Sequence, residues 1–307
     1  MKTIMMDLRR EFQENGFVII RDAFSPERLI AIRDQVLGSS AGQLNWRIKY
    51  AGGEKSVAET SNLFAQVPEL KKIIAESKAF SLIESLIGQE TYLFRDAFIQ
   101  KLPNPQSFFP LHQDSEFWDI QPEELISMWI PFQDTNSING VLEVVPGSHK
   151  VRYPHYVKIG AQTKLPPVVN LLLRRNSKNS NMSADGTVQT AKPSRVRTAI
   201  SNFANSKMLP FLSRNFKAFE KFAELFVVEN DDEFWTKTVV PDLKVGDCVI
   251  YHSKTIHGSR GNQTKNPRIS YVPTFMGSNY TRDGIPISDS RLGYIRMSKS
   301  HSTGSTV

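Results

Sequence analysis

The chain has 307 residues, of which 40% are hydrophobic and 22% are charged, and it contains a single cysteine. These proportions are typical of a globular protein, and one cysteine excludes an intramolecular disulfide. No apolar stretch approaches the roughly 20 residues of a membrane span, and the first residues contain no apolar core of a signal peptide. We therefore predict a cytoplasmic protein that does not enter a membrane.

The net charge of +7 is distributed unevenly along the chain. Residues 144–219 contain thirteen Lys and Arg residues and one acid, Asp185, so this segment carries +12. Such a segment is either a solvated basic face or a positive field over a site for an anionic ligand. It lacks the aromatic interleaving and the motif spacing of nucleic-acid binders, so we predict a small-molecule partner and no nucleic acid. Nothing in the sequence predicts an oligomeric state.

The first 90 residues predict helices around one short strand. Residues 5–36 contain an amphipathic segment, the β-rich run FVIIRDAF, and a helix that begins after Ser25. Residues 39–62 are polar and contain glycine, which predicts a loop. Two further helical patterns follow before the composition of the chain changes.

From residue 91 onward, short β-rich runs are separated by Pro, Gly, Asn and Asp. Many short strands with turn signals predict a mainly β fold, a barrel or a jelly roll, flanked by the amino-terminal helices. We predict one domain, 1–307, with a β core at about 91–152 and 238–280 and an inserted lid region at about 153–237. The last twenty-odd residues are rich in Ser and Thr and predict a loosely packed tail.

The apolar stretch FFPLHQDSEFW places His112 and Asp114 two residues apart. In a strand, residues i and i+2 point to the same face, so these two side chains could bind one ion from one side. An ionised aspartate in apolar surroundings is costly, and a divalent metal ion would compensate its charge. The alternative is a surface pair in a loop. Two ligands are too few for a metal enzyme, which predicts a third ligand elsewhere.

The candidates for the third ligand are His252 and His257, in VGDCVIYHSKTIHGS. Arg268 follows His257 by eleven residues and begins another β-rich run. There its guanidinium could bind the distal carboxylate of a bidentate metal ligand. The spacing between His257 and Arg268 favours His257 over His252 as the third metal ligand. His252 is then a satisfied residue of the strand. Two His and one Asp leave coordination positions open, as in the facial triad of non-haem Fe(II) oxygenases.

These motifs occur together with FQENGFVIIRDAFSPERL, NGVLEVVPGSHK and NPRISY. In this order and spacing, the sequence resembles the phytanoyl-CoA dioxygenase family of Fe(II)/2-oxoglutarate-dependent oxygenases. The resemblance covers most of the chain and is poor in the insertion. It implies a double-stranded β-helix, the jelly-roll core of cupin-like proteins.

The resemblance also implies roles for individual residues. His112, Asp114 and His257 match the catalytic iron ligands of the family, which implies Fe(II) as cofactor with 2-oxoglutarate and O2 as cosubstrates. Arg268 matches the partner of the distal 2-oxoglutarate carboxylate, and Ser259 matches a residue that hydrogen-bonds the same carboxylate.

Further residues are candidates for the walls of the pocket. Trp129 matches a tryptophan that lines the cosubstrate site, although plain core packing is an alternative. Four residues near the metal motif or on the strand before it are candidates for substrate contacts, with core packing as the alternative: Phe94, Arg95, Phe117 and Trp118. His149 and Glu143 are interpreted as structural residues.

We predict a dioxygenase that hydroxylates an unactivated C–H bond of a small metabolite, a natural-product intermediate that bears an anionic group. Desaturation and cyclisation are other outcomes of the same class. One alternative is an acyl-CoA hydroxylase of the same family. A second is a zinc-dependent hydrolase, since two His and one Asp can hold zinc with a bound water. A third is a binding module that has lost catalysis.

Overall fold

A computed structural model describes residues 2–38, 46–51, 54–153, 155–157, 188–189, 226–228 and 231–297. Across these ranges, no helix combines the length and the apolar character that crossing a bilayer would require. Most of the predicted insertion and most of the basic segment 144–219 lie outside the described residues. The division into one domain with an inserted lid stays a prediction.

Helices dominate the amino-terminal part of the described chain. They are α1 (Lys2–Asn15), α2 (Pro26–Gly38), α3 (Leu63–Gln66), α4 (Pro68–Ala75), α5 (Lys78–Ile87) and, later in the chain, α6 (Asp231–Trp235). The ends of α5 follow from the sequence: the Ser77 hydroxyl accepts a hydrogen bond from the Phe80 backbone N–H, and Gly88 ends the helix with a φ of 69°.

Short strands make up most of the remaining described structure. They are β1 (Phe17–Ile20), β2 (Arg47–Ala51), β3 (Glu54–Thr60), β4 (Thr91–Arg95), β5 (Phe98–Lys101), β6 (Phe109–His112), β7 (Ile120–Gln121), β8 (Ile126–Pro131), β9 (Glu143–Val144), β10 (His155–Val157), β11 (Val188–Gln189), β12 (Phe226–Val228), β13 (Cys248–His252), β14 (His257–Ser259), β15 (Arg268–Tyr271), β16 (Thr274–Gly277), β17 (Thr281–Arg282), β18 (Ile285–Pro286) and β19 (Ile295–Arg296). Three short 3-10 helices lie at Asp114–Phe117, Ser148–Lys150 and Ser290–Leu292.

One antiparallel sheet of ten strands organises the molecule. Its order is β19-β4-β16-β8-β15-β5-β3-β2, and β13 pairs with both β8 and β1. A three-stranded sheet, β6-β14-β9, carries the two histidines of the predicted metal site. Further three-stranded sheets are β11-β10-β12 and β18-β17-β7.

The two faces of the large sheet differ in chemistry. On central strand β8, Ile126, Met128 and Ile130 belong to the main hydrophobic core, which also contains buried residues of α2, α4 and α5. Because side chains alternate along a strand, Ser127 and Trp129 point to the opposite face. We call this opposite face the inner face, and it looks towards the β6-β14-β9 sheet.

Two expectations for the fold were wrong. The segment 39–62 contains β2 and β3 where a loop was expected, because β3 pairs with β2 and, over residues 57–60, with β5, and this pairing overrides the polar composition. The β core also extends beyond residue 280, since β19 pairs with β4 and Met297 is buried in the main core. The described part of the tail is therefore packed.

Candidate metal centre

Strands β6 and β14 bring two histidines together. Their register places His257 opposite His112, and the ring centroids are 4.3 Å apart. The Nδ1 atom of His112 lies 2.7 Å from the Pro110 carbonyl oxygen, and that of His257 lies 2.9 Å from the Thr255 carbonyl oxygen. With each Nδ1 proton held there, both Nε2 atoms keep a lone pair that can bind a metal ion.

Asp114 completes the cluster from a different element than the sequence suggested. His112 ends β6, whereas Asp114 begins a 3-10 helix, so the two do not share a strand face as the motif predicted. The turn still directs the carboxylate to the histidines. Its oxygens lie 3.6 Å from His112 Nε2 and 3.7 Å from His257 Nε2, and the three ligand atoms all lie within 4.8 Å of one another.

The protonation states of this cluster suit a divalent cation. Burial, followed by the charge of His112, lowers the pKa of His257 to about 4, which keeps its imidazole neutral. Burial raises the pKa of Asp114, but the interactions with His257 and His112, together with a smaller contribution from the charge of Arg95, outweigh it and the pKa is lowered. One carboxylate with two imidazole nitrogens is the donor set of a two-histidine, one-carboxylate metal site.

Close packing of β6 against β14 depends on Gly258. A Cβ atom at this position would lie 2.7 Å from the Phe109 carbonyl oxygen and 3.0 Å from a Leu111 methyl group. The residue after the ligand His257 therefore has to be glycine for the two strands to approach. This is a physical reason for the HG pair that the sequence presents.

A buried glutamine between two ligands fixes the loop around them. The Gln113 side chain donates to the carbonyl oxygens of Val151 at 2.8 Å and Lys254 at 2.6 Å, and it accepts from the Tyr153 N–H at 2.9 Å. Its backbone N–H donates to His155 Nε2 at 2.9 Å. Burial is the main cause that lowers the pKa of His155 to about 4, so this imidazole is neutral and can accept. Gln113 lies inside the metal motif without being a candidate ligand, and no pattern in the sequence pointed to His155.

Replacing Gln113 by leucine should lower both stability and metal affinity. The change keeps the volume but leaves three part-buried backbone groups without their side-chain partner, which should cost about 2–4 kcal/mol of unfolding free energy. Loss of such outer partners typically weakens metal binding by about tenfold or more. Urea denaturation and titration with Co²⁺ would measure the two effects. The exposed Gln66→Leu is the matched control, and equal behaviour of the two variants would contradict the prediction.

Arg268 is buried on the inner face beside the metal cluster. Its side chain donates to Ser270 Oγ at 2.5 Å, and its guanidinium carbon lies 5.2 Å from the centroid of the Trp129 ring. Burial lowers the pKa of Arg268 to about 9, and its Nε has no hydrogen-bond partner among the described atoms. A charged, buried guanidinium with an unused donor is suited to an anionic ligand.

Lys101 is a second buried basic residue at the same place, and no motif in the sequence pointed to it. The β15–β5 register sets it opposite Arg268. Its ammonium group donates to the Ser259 carbonyl at 3.0 Å, to Ser259 Oγ at 2.5 Å and to the Arg260 carbonyl. Burial first, and then the charge of Arg268, places the pKa of Lys101 well below its usual value. The available signal for Lys101 in the sequence was its position at the end of a β-rich run.

Basic side chains outnumber acidic ones in this pocket. The nearest acid to influence Lys101 is Glu143, which is buried and already pairs with Arg260 and accepts from Thr238 Oγ1 at 3.0 Å. Ser259 Oγ also donates to the Gly140 carbonyl at 3.0 Å, so it is oriented within the same pocket. Two cations, a hydroxyl and an aromatic wall thus form a site into which a carboxylate fits.

The candidate substrate residues divide into two groups. Phe117 stands edge-on to the ligand His112, with ring centroids 5.6 Å apart. Phe94 and Trp118 pack against each other at 5.2 Å within a separate hydrophobic cluster, which favours the core-packing alternative for Trp118. Arg95 forms an ion pair with Glu59 at 3.5 Å.

The rival histidines are engaged elsewhere. His252 Nε2 lies 2.7 Å from a Glu124 oxygen, and His252 Nδ1 accepts from the Lys254 N–H at 3.0 Å. His149 Nε2 lies 3.1 Å from the Gln13 carbonyl oxygen. Neither belongs to the cluster of three potential metal ligands, so the structure agrees with the expectation that both are structural.

Sequence comparison finds one family over most of the chain. The family model described as phytanoyl-CoA dioxygenase (PhyH) matches residues 12–270. Human peroxisomal phytanoyl-CoA dioxygenase is 25% identical over 171 residues, which are 48% of this chain and 48% of the relative. Ectoine dioxygenase of Nocardia farcinica is 28% identical over 154 residues, 47% of this chain and 50% of the relative. The chain thus matches about half the length of these curated relatives.

Structural comparison confirms the predicted jelly-roll architecture. The crystal structure of the epimerase SnoN in complex with Fe³⁺, alpha-ketoglutarate and nogalamycin RO superposes with a TM-score of 0.60. The alignment covers 95% of this chain and 90% of that chain at 15% sequence identity. At this level of identity the likeness concerns the fold.

Proposed function

We propose, because this chain belongs to the phytanoyl-CoA dioxygenase family, that it is an Fe(II)- and 2-oxoglutarate-dependent dioxygenase. The single observation that carries the proposal is the convergence of His112, Asp114 and His257 on one point beside two buried cations. A metal site alone would be compatible with other chemistries. A deep carboxylate pocket next to it favours a cosubstrate that chelates the metal and ends in a carboxylate.

Each residue of the site has a role in this proposal. His112, Asp114 and His257 would hold Fe(II), and Arg268, Lys101 and Ser259 would bind the distal carboxylate of 2-oxoglutarate against the face of Trp129. When bound, iron, 2-oxoglutarate and O2 supply the oxidising chemistry that hydroxylates an unactivated C–H bond. The protein holds the substrate carbon near the metal and excludes water from the buried pocket.

We propose a small metabolite, an intermediate of natural-product biosynthesis, as the substrate. Relatives and structural neighbours named for ectoine and nogalamycin support this choice. An acyl-CoA substrate is the second candidate, supported by the human relative that is named for phytanoyl-CoA. We assign the protein to the cytoplasm because its single cysteine, Cys248, is buried and unpaired, as is usual in a reducing compartment.

Anaerobic titration with Fe(II) and 2-oxoglutarate tests the reaction class. We expect a visible charge-transfer band that appears only when both are present, since the cosubstrate has to chelate the metal. Addition of a substrate should then shift the band, and admission of O2 should release succinate. A protein that binds zinc tightly, gives no band and hydrolyses esters or amides without O2 would support the zinc hydrolase instead.

A further inference from the structure

A row of polar side chains crosses the inner face of the large sheet. The strand registers place Arg95 opposite Thr274, Thr274 opposite Ser127, and Ser127 opposite Tyr251. Residues directly opposite each other in antiparallel strands point to the same side. The hydrogen bond of 2.9 Å between the Ser127 and Thr274 hydroxyls confirms this direction, and Ser127, Thr274 and Tyr251 are all buried.

This row leads to the metal centre. The Tyr251 ring lies 4.6 Å from the ring of the ligand His257, centroid to centroid. Arg95 stands at the other end of the row, where its side chain is 40% exposed. The row therefore runs from an accessible guanidinium to a buried iron ligand, and it lies on the face where a substrate would approach the metal.

A β-bulge is the reason that Arg95 points inwards. The pairing of β4 with β16 slips by one residue, so that Thr274 is opposite Arg95 while Phe275 is opposite Leu93. Phe94 is the extra residue. In a regular strand, Arg95 would share the side of Leu93, which packs in the main core. Bulges re-aim side chains in this way and are common beside active sites.

The contacts of Arg95 leave it able to bind a ligand. Its ion pair with Glu59 is 3.5 Å long, whereas charge-assisted hydrogen bonds are typically about 2.7–2.9 Å. A half-exposed guanidinium with a weak ion-pair partner gains more free energy by binding a ligand carboxylate than it loses by leaving that partner.

We propose that Arg95 binds a carboxylate of the primary substrate and so sets which part of that molecule faces the metal. The proposal rests on the proposed function and names the substrate class of the same site. Among the described residues, Arg95 is the cation on this row, and one positive charge matches a singly charged carboxylate better than a phosphate dianion. The planar guanidinium also fits a planar carboxylate in two parallel hydrogen bonds.

The two cationic positions are far enough apart to serve two different ligands. Arg268 lies over Trp129, which is two residues from Ser127 along β8. Trp129 and Ser127 are therefore about 7 Å apart along the strand. Arg95 lies two strands from Ser127, which adds about 10 Å across the sheet. The buried pair Arg268 and Lys101 can hold the cosubstrate while Arg95 holds the substrate.

Paired probes on the intact chain test this proposal. The anaerobic protein with Fe(II) and 2-oxoglutarate is titrated with small alicyclic, aromatic and amino-acid carboxylates, each compared with its own primary amide, and the shift of the charge-transfer band gives an apparent Kd. We expect the wild type to prefer acids. Arg95→Gln should raise the Kd of the acids by about ten- to a hundredfold and leave that of the amides nearly unchanged. Arg95→Lys, which keeps the charge, should restore part of the preference.

Two further variants separate recognition from structural support. Glu59→Gln removes the competing carboxylate, so it should lower the Kd of the acids by about two- to fivefold. Arg296→Gln is the matched control, because Arg296 pairs with Glu90 at the exposed edge of the same sheet. The acid-to-amide ratio should not change in this control.

The outcomes distinguish the two levels of the proposal. If the wild type gives no charge-transfer band, the proposed function fails. If the band forms but no acid is preferred over its amide, or if Arg95→Gln and Glu59→Gln weaken acids and amides alike, the band still supports the oxygenase. In either of those cases Arg95 is a structural partner of Glu59 and the inference is overturned.

Discussion

Replacing His257 by alanine should abolish iron binding and turnover. The side chain supplies one of three ligand atoms that lie within 4.8 Å of one another, and its Nδ1 is already oriented by the Thr255 carbonyl. Two remaining ligands cannot hold a divalent ion at micromolar concentration against exchange with solvent. Titration with Co²⁺ or Fe(II), followed by succinate release in air, would measure the loss of binding and of activity.

His252→Ala is the matched control for this experiment. It removes a histidine only five residues away that is the rival ligand by sequence, but whose ring contacts Glu124 and the Lys254 N–H. We expect this variant to lose some stability and to retain metal binding. If His252→Ala lost the metal and His257→Ala kept it, the assignment of the third ligand would be wrong.

Replacing Arg268 by methionine should stabilise the apoprotein and weaken 2-oxoglutarate binding by roughly a hundredfold or more. Among the described residues, no carboxylate lies within ion-pair distance of this buried guanidinium, so its burial is uncompensated until a ligand arrives. Apolar replacement of buried charges is often neutral or stabilising by about 1–4 kcal/mol. Methionine would fill similar space beside Trp129 without that cost.

Thermal unfolding with and without 2-oxoglutarate would check both parts of the prediction, with Mn²⁺ or Co²⁺ as the metal. The wild type should gain thermal stability on addition of 2-oxoglutarate because the ligand binds only the folded state. Without 2-oxoglutarate, Arg268→Met should unfold at a higher temperature than the wild type. Addition of 2-oxoglutarate should raise its unfolding temperature only a little. Arg21→Met is the control: its ion pair with the buried Asp247 at 2.7 Å should make that variant less stable but leave the 2-oxoglutarate response intact. If 2-oxoglutarate stabilised Arg268→Met as much as it stabilises the wild type, Arg268 would not be part of the cosubstrate site.

The residues of the candidate metal centre could be proposed from the sequence because their chemical types and spacing are specific. His112, Asp114, His257 and Arg268 are the residue types that a two-histidine, one-carboxylate centre with a carboxylate anchor needs, and they occur in order along the chain. The structure brings all of them to the inner face or to the strands that oppose it. The local reason given for the first pair was nevertheless wrong, since Asp114 reaches the histidines from a 3-10 helix.

The strands of the N-terminal part were not predictable in the same way. Segment 39–62 has the composition of a loop, and β3 exists because its backbone pairs with β5. Packing of the tail against β4 likewise depends on a neighbour that lies about two hundred residues earlier in the chain. Hydrogen bonds between distant segments leave little trace in local sequence, because any residue can supply them through its backbone.

The sequence by itself determined which side chains are candidates for binding a metal ion, which cation is the candidate anchor of a carboxylate, and that short strands form the core. Only the tertiary structure decided which charges lie together. Lys101 stands opposite Arg268 through strand register, and Arg95 faces inwards through a one-residue bulge. Register and bulges depend on pairing between segments far apart in the chain, and a shift of one residue turns a side chain to the other face of the sheet.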